Sequence, residues 1–153
     1  MMPQKRIENP DKIKDIKKYY TAKLSVWSDK NDDYKHYIYR DKLDTIKKKK
    51  DPETAIKSYQ GSSTEGKGIP KKNLLRDMRE TSKDILYTIL DTSGENGTAL
   101  TDDITGYLES QRIVEHQLDG FDLYNEHFSG TGAKSRATMV SSIKTKRLLE
   151  KHK

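Results

Sequence analysis

The chain has 153 residues, 31% hydrophobic and 35% charged, with a mean hydropathy of −1.02. Ordering each residue costs roughly 1–2 kcal/mol of backbone entropy, and so little apolar surface supports one small core rather than several. Cysteine is absent, which excludes disulfides and thiolate metal sites, and no apolar run is long enough for a signal peptide or a membrane span. Synthesis inside the cell is therefore expected.

The net charge of +6 is segregated along the chain. Residues 1–72 carry +8, residues 73–133 carry −8 and residues 134–153 carry +6. Two basic ends around an acidic middle can meet nucleic acid or the acidic part of a neighbouring copy.

Asn9-Pro10-Asp11 reads as a helix start. Ile13, Ile16, Tyr20, Leu24 and Trp27 then recur at three- and four-residue spacing, which predicts an amphipathic helix with lysines around it. Residues 28–33 form a polar break. Tyr34, Tyr37, Ile38, Tyr39, Leu43 and Ile46 predict a second helix ending in Lys47-Lys48-Lys49-Lys50. Asp51-Pro52 is a further start signal, followed by Ala55, Ile56 and Tyr59. Residues 61–70 lack periodicity and read as a flexible linker.

Residues 71–90 predict the strongest helix, with Leu74, Leu75, Met78, Ile85, Leu86, Ile89 and Leu90 on one face. Thr101 is placed to cap another helix, with Ile104, Tyr107, Leu108, Val114 and Leu118 as its apolar face and Gly120 as its terminator. These two helices predict an antiparallel hairpin core. The last helix is expected at 136–152, with Ala137, Val140, Ile143 and Leu148 inside. The expected fold class is thus all-α: a small helical hairpin with extended amphipathic helical arms on flexible joints. Its divisions are a basic tyrosine-rich arm (1–60), a linker (61–70), an acidic hairpin core (71–128), a joint (129–135) and a basic C-terminal helix (136–153).

Signatures of chemistry are weak. Gly130-Thr131-Gly132-Ala133-Lys134-Ser135 has the outline of a phosphate-binding loop, but Ala133 stands where glycine is needed and no buried strand precedes it. Asp91 to Asp102 has the length of a calcium-binding EF-hand loop, but offers Asn96 and Asp102 where glycine and a bidentate glutamate belong. His36, His116, His127 and His152 show no i, i+4 pair, so a metal site is not expected. No catalytic residues, cofactor or small-molecule substrate follow from the sequence, and the expectation is a binding protein rather than an enzyme.

The binding candidates are Lys17, Lys18, Tyr19, Lys23, Tyr37, Tyr39, Lys47, Lys48, Lys49, Lys50, Lys144, Lys146 and Arg147. Cationic side chains neutralise phosphates and release counterions, while tyrosines stack or donate to phosphate oxygens. Lysine outnumbers arginine 23 to 7, and lysine acts as a point charge rather than a bidentate base reader. Any contact with double-stranded DNA is therefore expected at the backbone.

The Lys47–Lys50 run, the tyrosine-rich 19–39 segment and the two Gly/Ser joints resemble small accessory virion proteins of tailed phages: short, cysteine-free and rich in Lys, Tyr, Asn and Asp. That resemblance implies a multi-copy structural component of inner-core or head–tail type, made in the host cytoplasm and contacting portal, capsid or packaged DNA. The alternatives are a free nucleic-acid-binding regulator, whose acidic 74–118 hairpin would repel phosphates, and a small enzyme without a recognisable motif.

Overall fold

A computed structural model describes residues 3–59, 69–125 and 133–152. The fold is α+β, built on a four-stranded mixed sheet, and this overturns the all-α expectation. Strands β1 (Lys5–Ile7), β2 (Tyr19–Ser28), β3 (Asp33–Lys42) and β4 (Ile85–Asp91) lie in the order β1-β4-β2-β3. β1 runs parallel to β4, and β2 is antiparallel to both β3 and β4. Helices α1 (Thr45–Lys48), α2 (Pro52–Lys57) and α3 (Ile69–Glu80) separate β3 from β4, and α4 (Asp102–Leu118) and α5 (Ala133–Lys151) follow it.

The predicted first helix is in fact a 3-10 turn over Pro10–Asp15 followed by β2. Tyr20, Ala22, Leu24 and Val26 alternate strictly, and all four are buried on one face. The polar break becomes the hairpin turn, with Asp32 in the left-handed region (φ 53°), and the predicted second helix becomes β3. Residues 71–90 divide into α3 and β4 around Ser82-Lys83-Asp84. The helical hairpin is consequently absent: α3 and α4 are separated by a strand.

One sheet face carries the main core. Ile7, Tyr20, Ala22, Leu24, Val26, Tyr39, Ile85, Tyr87 and Ile89 meet Ile56 and Tyr59 from α2 and its end, Leu74 from α3, and Ile16. Tyr39 stacks on Tyr59 with ring centroids 3.7 Å apart, and Tyr20 meets Tyr39 edge-on. Tyr87 donates its hydroxyl to the carbonyls of Lys57 and Tyr59 (3.1 and 2.9 Å), tying α2 to the sheet. Leu86 is only half-buried, so the central leucines are Leu24 and Leu74.

Both sheet edges are tied locally. Asn9 donates to the Ile89 carbonyl (2.8 Å) and accepts from its N–H (2.9 Å), completing what β1 is too short to pair. On the outer edge of β3, residues 122–125 add a short extension: the His36 N–H donates to Asp122, and the Tyr124 N–H donates to His36. The Asn125 side chain pairs with both backbone groups of Ile38. From His36 to Ile38 the edge is thus paired and no template for a further strand.

Helix α4 packs on the opposite face, against β2 and β3. Its start follows the sequence: the Thr101 side chain accepts from the Ile104 N–H, Asp102 and Asp103 fill the first turn, and Gly120 adopts φ +82° just beyond its end. Its buried side is Thr105, Ser110, Ile113 and Val114, leaving the expected face residues Ile104 and Tyr107 exposed. α5 packs on α4 through Met139 and Ile143 against Val114.

Candidate polyanion-binding surface

The lysines of the N-terminal third are gathered by the β2–β3 ladder. Tyr19 pairs with Lys42, and the Leu43 N–H donates to the Lys18 carbonyl (2.8 Å), so the start of β2 and the end of β3 share one end of the sheet. Asp44 then caps α1 by accepting from the Lys47 N–H at 2.8 Å. Lys49 ends that helix in the left-handed conformation (φ 52°, ψ 37°), and Asp51 caps α2 two residues on. Two caps thus hold the four-lysine run as a tight corner beside Lys17 and Lys18.

Lys17, Lys18, Lys42 and Lys47 to Lys50 are all exposed. Among the described residues their only ion pair is Lys48 with Asp41, at 3.3 Å. At the far end of the strip, burial lowers the Lys5 ammonium below its usual range, and the charge of Lys50 lowers it further. Tyr19 is half-exposed with the Lys18 ammonium 5.5 Å from its ring centre, which offers an aromatic face beside the cations.

The other expected binding residues are elsewhere. Tyr39 is fully buried and presents no ring to a partner, and the half-buried Tyr37 stacks on it at the margin of the main core. Lys144, Lys146 and Arg147 lie on α5, across the sheet from α1 and α2, and Arg147 pairs with Asp119 at 2.8 Å. Lys5 and Lys42 were not singled out from the sequence. Lys42 joins the strip through its pairing with Tyr19 and Lys5 through its nearness to Lys50, neither of which charge patterning encodes.

Lys23 belongs to a separate polar layer between the sheet and α4. Ser25 and His36 Nδ1 lie 2.6 Å apart, His36 packs edge-on against Phe121, and the Lys23 ammonium sits 4.9 Å from the same ring. His116 Nδ1 is 2.6 Å from the Arg112 carbonyl and packs on Phe121 from the helix side. Burial, then the nearby Lys23 and His116, hold His36 down at about 4, while Asp33 opposes the shift. An imidazole with a depressed folded pKa is protonated first in the unfolded chain. Stability is therefore complete above about pH 6.5 and drains away as the pH falls towards 4. Urea midpoints should fall steadily between pH 7 and pH 4.5, and His36→Gln should flatten that fall. A wild-type profile flat over this range would contradict the assignment.

Beside it, Asp91 accepts from Thr21 Oγ1 (2.5 Å) and from Arg112 Nε and Nη2 (3.0 and 2.8 Å), while Arg112 Nη1 bonds Glu115. Burial alone would raise the Asp91 carboxyl, but the bonds from Arg112 and Thr21 prevail and hold it below the usual carboxylate range. These bonds fasten α4 to β2 and β4. They also replace the calcium-loop outline, because its first residue is a strand residue engaged by an arginine.

The described residues contain no group of three or more metal-ligating side chains, and no helix among them is long and apolar enough to cross a membrane. Of the phosphate-loop outline, residues 130–132 lie outside the described residues and Ala133 to Ser135 begin α5. Comparison with known proteins finds no matching family model, no matching curated protein and no matching solved structure.

Proposed function

We propose that the protein is a non-enzymatic binding protein that holds the backbone of duplex nucleic acid through the lysine strip. One observation carries this reading: seven exposed lysines, at positions 17, 18, 42 and 47 to 50, are gathered by the β2–β3 ladder and the capped corner that follows it, with a single ion pair to them among the described residues. Seven cations close together outweigh the neighbouring Asp41, Asp44 and Asp51, and the excess positive charge is relieved by a polyanion. Point-like ammonium groups on a rigid corner neutralise phosphates without reading bases. Following the resemblance to accessory virion proteins, the setting proposed is a multi-copy assembly around packaged DNA.

Anisotropy titrations with two labelled duplexes of unrelated sequence test the reading. Both should bind at low salt with similar affinity, and the quadruple change of Lys47, Lys48, Lys49 and Lys50 to Gln should weaken both at least about tenfold. Strong preference for one duplex, or unchanged affinity in the quadruple variant, would overturn it.

A further inference from the structure

Two exposed apolar patches of opposite charge remain, one on each of the last two helices. On α4, Ile104 (49% exposed) and Tyr107 (59%) lie on the outer face of the first two turns, beside exposed Asp103. On α5, Leu148 (58%) and Leu149 (65%) lie in the last turns among exposed Lys144, Lys146 and Lys151, which outnumber the one neighbouring carboxylate, Glu150.

Within one chain the patches cannot cover each other. α5 crosses α4 at its C-terminal end: Arg136 bonds Gln117 and Arg147 bonds Asp119, at 3.0 and 2.8 Å. The Ile104–Tyr107 patch begins roughly 20 Å further back along α4, at 1.5 Å rise per residue. Beyond Ile143 every described residue of α5 is exposed, with Arg147 tied to Asp119 at the end of α4 and Leu148 and Leu149 just past it in the chain.

We infer that the C-terminal end of α5 docks on the first turns of α4 in a second copy of this chain. The fit is chemical on both counts. Leucines meet Ile104 and Tyr107 at the centre, and lysines on the rim meet Asp103, which favours this pairing over α5 against α5 or α4 against α4. The contact is heterologous in its elements, so each copy offers both a donor helix and an acceptor helix. It is independent of the lysine strip and needs no nucleic acid.

Sedimentation velocity over a concentration series, without nucleic acid, reads the contact. Wild-type protein should self-associate, more weakly as salt rises. The pair Leu148→Asp, Leu149→Asp and the pair Ile104→Asp, Tyr107→Asp should each weaken association at least about tenfold. All four residues are exposed, so circular dichroism and the melting temperature should stay near wild type. Mixing the two monomeric variants should restore a one-to-one complex, because one keeps the donor and the other the acceptor. A wild type that stays monomeric throughout, or a mixture that does not associate, would overturn the inference.

Discussion

Tyr39→Ala should cost about 3–5 kcal/mol of folding stability, the range for truncating a large buried aromatic. Tyr39 is fully buried, its ring lies flat on Tyr59, and Tyr20 and Tyr37 close around it. Removing it opens a cavity at the junction of β3, β2 and the end of α2. Small domains are stable by only about 5–15 kcal/mol, so the variant should melt far below wild type. The measurement also decides between two roles. A tyrosine that stacked on a nucleic-acid base would lose affinity with little change in stability, whereas this one should lose stability while its folded fraction binds duplex as before.

Asp91→Ala should cost about 2 kcal/mol, because it leaves the buried Thr21 hydroxyl without its acceptor and Arg112 held by Glu115 alone. The double change Asp91→Leu, Arg112→Met should recover only part of that loss, since it removes the pair but leaves the Thr21 hydroxyl and Glu115 without these partners. The carboxyl is depressed in the folded protein. Its contribution is therefore present above the unfolded value near 4 and lost as the pH falls through the lower folded value. That window lies below the His36 window, so stability should fall over two successive pH ranges, and Asp91→Ala should lessen the fall only in the lower one. An Asp91→Ala variant as stable as wild type in urea would show that α4 is held by packing alone.

How much of this was legible in the sequence depends on whether an element's signal is local. α2 and α4 were readable because caps and first-turn charges are chain neighbours: Asp51 before Pro52, and Thr101 before Asp102 and Asp103. α5 was readable from its apolar spacing. The strands were misread because residues 13–27 satisfy two periods at once. Ile13, Ile16, Tyr20, Leu24 and Trp27 fit a helix, while Tyr20, Ala22, Leu24 and Val26 fit a strand. Six consecutive aromatic or branched residues in 85–90 should have weighed towards a strand. They nevertheless continue the helical pattern of α3, because residues 71–84 contain no glycine or proline to mark a break.

The candidate surface was half legible. Lys17, Lys18 and the Lys47–Lys50 run stand out as charge, but only the pairing of β2 with β3 brings the two groups together. Tyr37 and Tyr39 were misassigned for the same reason as the strands. On a helix they would flank an exposed basic face, whereas on β3 they point with Leu24 and Tyr87 into the core.

The most direct test of the lysine strip is the salt dependence of duplex binding. The logarithm of the binding constant should fall linearly with the logarithm of salt concentration, with a slope of about −4 to −6 for five to seven neutralised phosphates. The Lys47–Lys50 glutamine variant should lose about three to four units of that slope, and Tyr37→Phe should lose none. A slope near zero, or one that the four lysines do not change, would contradict the account.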